Sequence, residues 1–265
     1  VLKLFLSCLY QMSLCTMFQN VLCYIIDRQF PISKTGRPRK LCTREAVRCV
    51  FLLLRTGMQW RELQPKNASY VTVAQTMHKW IGKGIFEDAY KKVLKLYMKH
   101  HPAKYYCIDS SYVKNAFGRD VVGRNPVDRE RKATKVSVIT DQNGIVHACH
   151  LAAGNIPDVK LLQSTLATML TKLEHLELLS DKGYDSKRNR VVCNDYGLKD
   201  RIARRKCKTG RRMNSKRVVV ENVFAWLDKY RRLLYRYEVK STTYLAFSFF
   251  ALGNLLSNRF LFFMR

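Results

Sequence analysis

The chain has 265 residues, of which 47% are hydrophobic and 11% aromatic, and it carries a formal net charge of +28. That apolar content is enough for an enzyme-sized core, which sets the chain apart from a disordered basic tail or a generic ribosomal protein. The charge calls for a polyanionic partner, most simply DNA or RNA, ahead of an anionic membrane surface.

Residues 1–30 are apolar and helical in pattern. Lys3 followed by Leu4-Phe5-Leu6 loosely matches a signal peptide, but Gln11, Gln19 and Asn20 interrupt it and no small-residue cleavage site follows. The first residue is Val1 rather than Met, as in a fragment or an unusual start. Pro31 to Lys40 is a breaker segment with a basic cluster that includes Arg37, Arg39 and Lys40. It reads equally as a solvated linker or as an arm on DNA backbone or minor groove. Thr43 is a plausible N-cap, and Val47, Val50, Phe51 and Leu54 then recur at helical spacing until Gly57. Trp60 to Leu63 is a short element. Val71 to Lys83 and Phe86 to Lys99 read as two more helices, parted by Gly82 and Gly84. Short helices joined by tight turns suit a helix-turn-helix DNA reader, and equally any small helical bundle. Residues 1–100 are therefore expected to form a helical, DNA-binding domain.

From Tyr105 the texture changes to strands. Tyr105–Ser110, Lys135–Asp141 and Ile145–Leu151 are the first three, with Asn143-Gly144 as a hairpin turn between the last two. A helix over 158–173, a strand over Leu176–Ser180, a helix over Ser186–Asn194, a short strand over Arg201–Ala203 and a long helix over Ser215–Leu234 follow. The order β-β-β-α-β-α-β-α predicts a ribonuclease H-like mixed α/β sheet flanked by helices, over residues 101–265. Residues 244–263 are nearly apolar, but Asn254, Asn258 and Arg259 would be stranded in lipid, so a buried terminal helix is expected.

Nine cysteines lie scattered with no CxxC pair, which argues against a zinc ribbon or finger and for free thiols in a reducing compartment. His147, Cys149 and His150 alternate within a strand-like run, where packing is the expected role rather than metal ligation.

Asp109, Asp181 and Glu221 each border an apolar run, where a carboxylate is costly unless a cation neutralises it. Singly, each has an ordinary reading. Asp109 caps a turn with Ser110 and Ser111, Asp181 pairs with Lys182, and Glu221 pairs with Arg217 one turn earlier. Together they fit better. The ends of the first and fourth strands can lie side by side, and a helix crossing the sheet brings Glu221 over the two aspartates. Three hard oxygen donors on separate elements suit two Mg²⁺ or Mn²⁺ ions and phosphodiester chemistry. Residues 201–217 hold nine Lys or Arg and no acid, among them Arg204, Arg205, Lys206, Arg211, Arg212 and Arg217. The run is either a solvated loop or, bordering Glu221, a phosphate-binding surface extended by Lys229, Arg231 and Arg232. Lys182 is a further phosphate candidate. Trp226, in an apolar helical stripe, is expected to pack in the core.

Several segments together resemble the DDE transposases of the insertion-sequence-five type. They are Gly36-Arg-Pro-Arg, Leu54-Arg-Thr-Gly57 with Trp60-Arg-Glu-Leu63, Asp109-Ser, Gly123-Arg-Asn-Pro-Val-Asp128, Ser180-Asp-Lys-Gly-Tyr-Asp185, and Val219-Val-Glu-Asn-Val-Phe-Ala-Trp-Leu227 with Tyr230-Arg-Arg-Leu233. The resemblance spans residues 36–250. It implies a catalytic triad of Asp109, Asp181 and Glu221, metal-dependent cleavage of double-stranded DNA at element ends, strand transfer into target DNA, and a homo-oligomer that joins two ends. The chain departs from the family pattern at Asn214, where a Tyr is common, and at Asp228, where a Lys is common. Pro157-Asp158 stands where a His-Asp pair is common. Two other readings remain: a nuclease without strand transfer, and a domesticated DNA-binding protein without activity. The nucleus is expected for a eukaryotic or viral source and the cytoplasm for a bacterial one.

Overall fold

The computed structural model describes residues 17–31, 39–171, 175–205 and 211–263, without the side chains of 211–214 and 260–263. The chain forms two compact units. One contains residues up to Leu94 together with Tyr230–Leu233 and the segment from Thr242 onward, and the other contains Lys95–Lys229 and Leu234–Ser241. The expected single boundary after residue 100 differs from this: the first break falls after Leu94, and Tyr230–Leu233 and the C-terminal helix group with the N-terminal helices.

The first unit is helical. Its elements are α1 (Met17–Gln29), α2 (Thr43–Thr56), α3 (Tyr70–Gly82), most of α4 (Ile85–His100), α8 (Arg231–Leu234) and α9 (Ser241–Phe263). The terminal helix belongs here because Phe250 packs against Phe18, Phe51 and Phe86, with ring centroids 6.0, 5.6 and 5.8 Å away. Gly57 ends α2 in the left-handed conformation (φ 68°), and its N–H donates to the Leu53 carbonyl. Cys42, not Thr43, occupies the N-cap position of α2. The Thr43 hydroxyl instead reaches Asp27 on α1, at 2.5 Å.

The second unit is a mixed sheet. Its strands are β1 (Tyr105–Asn115), β2 (Gly123–Arg124), β3 (Lys132–Asp141), β4 (Val146–Ala153), β5 (Glu177–Ser180), β6 (Lys199–Ile202) and β7 (Tyr235–Arg236). The main order is β4-β3-β1-β5-β6, with the short β2 on β3 and β7 on β1. β4, β3 and β1 pair antiparallel, while β1, β5 and β6 pair parallel. That order and pairing make a ribonuclease H-like fold, as the sequence predicted. One face buries Tyr106, Ile108, Leu178 and Tyr184 against α5 (Leu161–Leu166) and α6 (Lys187–Asp195). On the sheet also lies α7 (Arg211–Leu227), packed over β1, β3 and β5.

Three elements differ from expectation. β1 runs to Asn115 because Ser110–Lys114 continue the antiparallel ladder with β3. The helix expected over 158–173 is a single 3-10 turn, Asp158–Lys160, followed by the short α5, and residues 172–174 lie outside the described ones. The long helix expected to reach Leu234 stops at Leu227. Tyr230, edge-on to Phe51, and Leu233 then turn into the helical core. His147 is buried against Tyr106, the packing role expected of it. Trp226 is only half-buried. Cys23, Cys42, Cys49, Cys107, Cys149 and Cys193 are free thiols. Among the described residues no helix is long and apolar enough to cross a membrane.

Candidate active site

β1 and β5 pair in register Tyr105↔Glu177, Tyr106↔Leu178 and Cys107↔Leu179. The ladder ends there, and two residues further along the same offset stand Asp109 and Asp181. α7 crosses this edge. The Cys107 thiol donates to the Lys216 carbonyl at 3.7 Å, and the Lys216 ammonium sits 4.6 Å from the Tyr105 ring centroid. Arg217, next on the helix, brings its guanidinium within 3.4 Å of Asp109 Oδ2. Glu221 follows one helical turn later and is exposed.

Each aspartate is fixed by a backbone amide. The Ser110 N–H donates to Asp109 Oδ1 at 2.8 Å, and the Gly183 N–H to Asp181 Oδ1 at 2.8 Å. A Cβ on that glycine would crowd the ends of two acidic side chains, meeting Asp181 Oδ1 at 2.9 Å and Asp158 Oδ2 at 3.3 Å, so a larger residue would shift them. Burial pushes the Asp109 carboxyl up to about 6. Its Ser110 N–H and Arg217 pull it back, and the negative charges of Asp181 and Glu221 push it further up. Asp181 and Glu221 are therefore near enough to act electrically on Asp109. Among the described residues, however, no three His, Cys, Asp or Glu groups are gathered closely enough to hold a metal ion. The donor chemistry suits a hard divalent cation: three carboxylates on three elements, with Asp109 partly buried and, among the described residues, paired with Arg217 alone.

Behind the aspartates lies a network only partly foreseen. Asp158 accepts from the Ser110 hydroxyl at 2.5 Å and from the Lys135 ammonium at 2.9 Å. Lys135 is 3% exposed, donates also to the Ile156 carbonyl, and sits 4.5 Å from the Tyr112 ring centroid. Tyr184, buried beside Asp158 and Asp109, has its hydroxyl pushed further up by burial and by those two charges. The sequence offered two signals: Asp158, standing where the family has a His-Asp pair, and Lys135, a lysine in a run otherwise fit for burial.

A sequence model described as the transposase DDE domain matches residues 100–253, more than half of the chain. The chain belongs to the DDE transposase family. A family model for the transposase of the IS4/5 family also matches residues 23–90 of the chain. The transposase assigned to insertion sequence element IS402 of Burkholderia cepacia is 34% identical over 140 residues. Those residues are 49% of this chain and 66% of that protein, just short of two thirds of its length. Among solved structures, the Mos1 pre-cleavage transpososome aligns over 97% of this chain and 95% of that chain, at 12% identity and a TM-score of 0.29. The Mos1 strand transfer complex aligns over 76% and 79%, at 11% identity and the same TM-score. Likeness at that TM-score carries no argument.

Of the basic residues expected to meet DNA, Arg204 and Arg205 are exposed beside the Asp181 turn. The Arg205 N–H donates to Asp185 at 3.0 Å and its Nε to the Lys182 carbonyl at 3.3 Å. Lys182, Lys229, Arg231, Arg39 and Lys40 are also exposed. Arg232 is a correction. It is 6% exposed, donates to the Met58 carbonyl at 2.9 Å and lies over the Phe247 ring, so it serves the helical core and is closed to a phosphate. Arg217 points inward at Asp109 and is 13% exposed. Arg37 and Lys206 lie outside the described residues, as do the side chains of Arg211 and Arg212.

Proposed function

We propose that this chain cuts DNA at the ends of a mobile element and joins the freed ends to target DNA, with Asp109, Asp181 and Glu221 as catalytic residues. The observation that carries the reading is Asp109 itself: a partly buried carboxylate on the central strand, level with Asp181, whose carboxyl is pushed up by burial and further by the charges of Asp181 and Glu221. These three would hold two divalent ions, Mg²⁺ or Mn²⁺. Bound ions supply Lewis-acid stabilisation of the attacking and leaving oxygens of an in-line displacement.

The chain's own groups have distinct tasks. The Ser110 and Gly183 amides aim the two aspartates. Lys182, Arg204 and Arg205 meet backbone phosphates next to the Asp181 turn. In the first step, water oxygen bonds to phosphorus, the 3′-oxygen leaves, and a proton passes to it. In the second, the oxygen of that 3′-hydroxyl bonds to a target phosphorus, the target strand's own 3′-oxygen leaves, and the hydroxyl proton passes to it. The helical unit, with its exposed Arg39 and Lys40, holds DNA. Two ends must be held together, so more than one copy acts at once.

A nicking assay on supercoiled DNA with Mg²⁺ tests the assignment. Wild type should nick and Asp181→Ala should not. Equal cutting by the two would sink the site. Joined products distinguish a transposase from a nuclease, and a wild-type protein that binds but never nicks would be a domesticated binder.

A further inference from the structure

At the far end of β1, β7 pairs parallel with it, Lys114 to Tyr235 and Asn115 to Arg236. Alternation along residues 235–239 separates two faces. Arg236 and Glu238 are buried, while Tyr235, Tyr237 and Val239 are 38%, 38% and 46% exposed. Arg236 anchors the segment. Its guanidinium donates to the Asp120 carbonyl at 2.7 Å, the Thr134 hydroxyl at 2.8 Å, the Glu238 and Val239 carbonyls at 3.2 Å, and the Asp120 carboxylate. Asp120 also accepts from the Ser241 N–H and hydroxyl. A charge withdrawn from water is tolerable only with its donors met, and meeting them holds this segment in one geometry.

The outward face so held is aromatic. Phe117 (65% exposed), Tyr237 and Tyr235 follow one another with ring centroids 6.1 and 6.3 Å apart. The Lys114 ammonium lies 5.7 Å from the Tyr235 centroid. Lys114, Arg119 and Lys240 are exposed, and the Arg119 N–H donates to the Val239 carbonyl, which puts its loop alongside. The acids in the same stretch are taken: Asp120 by Arg236 and Ser241, while Glu238 is buried. The result is a rigid row of rings bordered by cations.

We propose that this row is a stacking platform for the unpaired bases of a single DNA strand, with Lys114, Arg119 and Lys240 on its phosphates. Successive aromatic side chains beside positive charge give single strands affinity without sequence preference. Paired bases stay inside the duplex stack and cannot reach such rings. That the strand is DNA rests on the activity proposed above; the platform is read from its own residues.

The test is fluorescence anisotropy of the full chain with labelled oligothymidylate and with a duplex of equal length, both in EDTA. Replacing Tyr235 and Tyr237 together by Ala should weaken single-strand binding by about tenfold or more. Replacing both by Phe should restore it, and duplex affinity should stay unchanged throughout. Phe117→Ala, at the most exposed ring, should weaken single-strand binding less, and it decides the matter should the double variant misfold. Equal losses on both DNAs, no loss on the single strand, or no rescue by Phe would overturn the proposal. So would a wild-type dimer that the alanine variant turns to monomer with single-strand affinity intact, since the face would then join two copies. Because EDTA removes catalysis, failure here leaves the nicking result standing, and the reverse also holds.

Discussion

Asp141 and Asp109 stand on neighbouring strands of one sheet and are held in opposite ways. Asp141, at the end of β3, is fully buried, and both its oxygens are occupied. Its Oδ1 accepts the Asn143 and Ile145 N–H groups at 2.8 and 2.9 Å, and its Oδ2 accepts the Tyr97 hydroxyl at 3.1 Å, with His147 Nε2 at 3.6 Å. Asp109 is 20% exposed, with one amide on one oxygen and an arginine at 3.4 Å from the other. The first acid closes a hairpin. The second has fewer donors and further negative charge nearby. A buried carboxylate with its donors met is architecture, and one left wanting is a site.

The sharpest way to break this contrast is to exchange the outcomes of two substitutions. Asp109→Ala should reduce metal-dependent cleavage on the order of a thousandfold, while the melting temperature stays within a few degrees of wild type. Asp141→Asn should do the opposite. Urea unfolding should show a loss on the order of 2–4 kcal/mol, with activity per folded molecule retained, because a buried set of donors loses half its acceptor. If Asp141→Asn kills cleavage at full stability, the distinction fails.

A smaller effect concerns pH. The folded Asp109 carboxyl lies near 6, above its ordinary range near 3.8. The folded chain therefore keeps this proton longer than the unfolded one. The resulting contribution to stability is fully present below about pH 4 and is lost as pH rises through about 6. A cation must displace that proton, so Mn²⁺ affinity measured by calorimetry should rise about tenfold between pH 5 and 7. A flat profile would mean that Asp109 is not a ligand. The smallest effect expected is for Gly183→Ala. The added methyl meets a carboxylate oxygen at 2.9 Å, so Mn²⁺ should bind a few-fold more weakly, about 1 kcal/mol, with the fold intact.

Much of this was legible in the residues. Asn143-Gly144 marked the hairpin, Gly57 marked a helix end, and the three acids stood out because each interrupts an apolar run. What stayed hidden depends on contacts distant in sequence. The first strand read as ending at Ser110, yet the ladder with β3 carries it on to Asn115. Arg232 read as surface charge, and only the fold shows it beneath Phe247. The network of Lys135, Asp158 and Ser110 joins a strand, a 3-10 turn and another strand, which no local pattern spells out. The long helix was overdrawn because Tyr230 and Leu233 continue its apolar spacing while belonging to the other unit.

The pairing of Phe250 with Phe18, Phe51 and Phe86 has a consequence for synthesis. The helical unit is discontinuous in sequence, with the sheet unit lying between its first helices and the segment that carries Phe250. The apolar interior of the helical unit cannot close until that last segment is made, and a chain cut before Thr242 would leave Phe18, Phe51 and Phe86 without the ring they share.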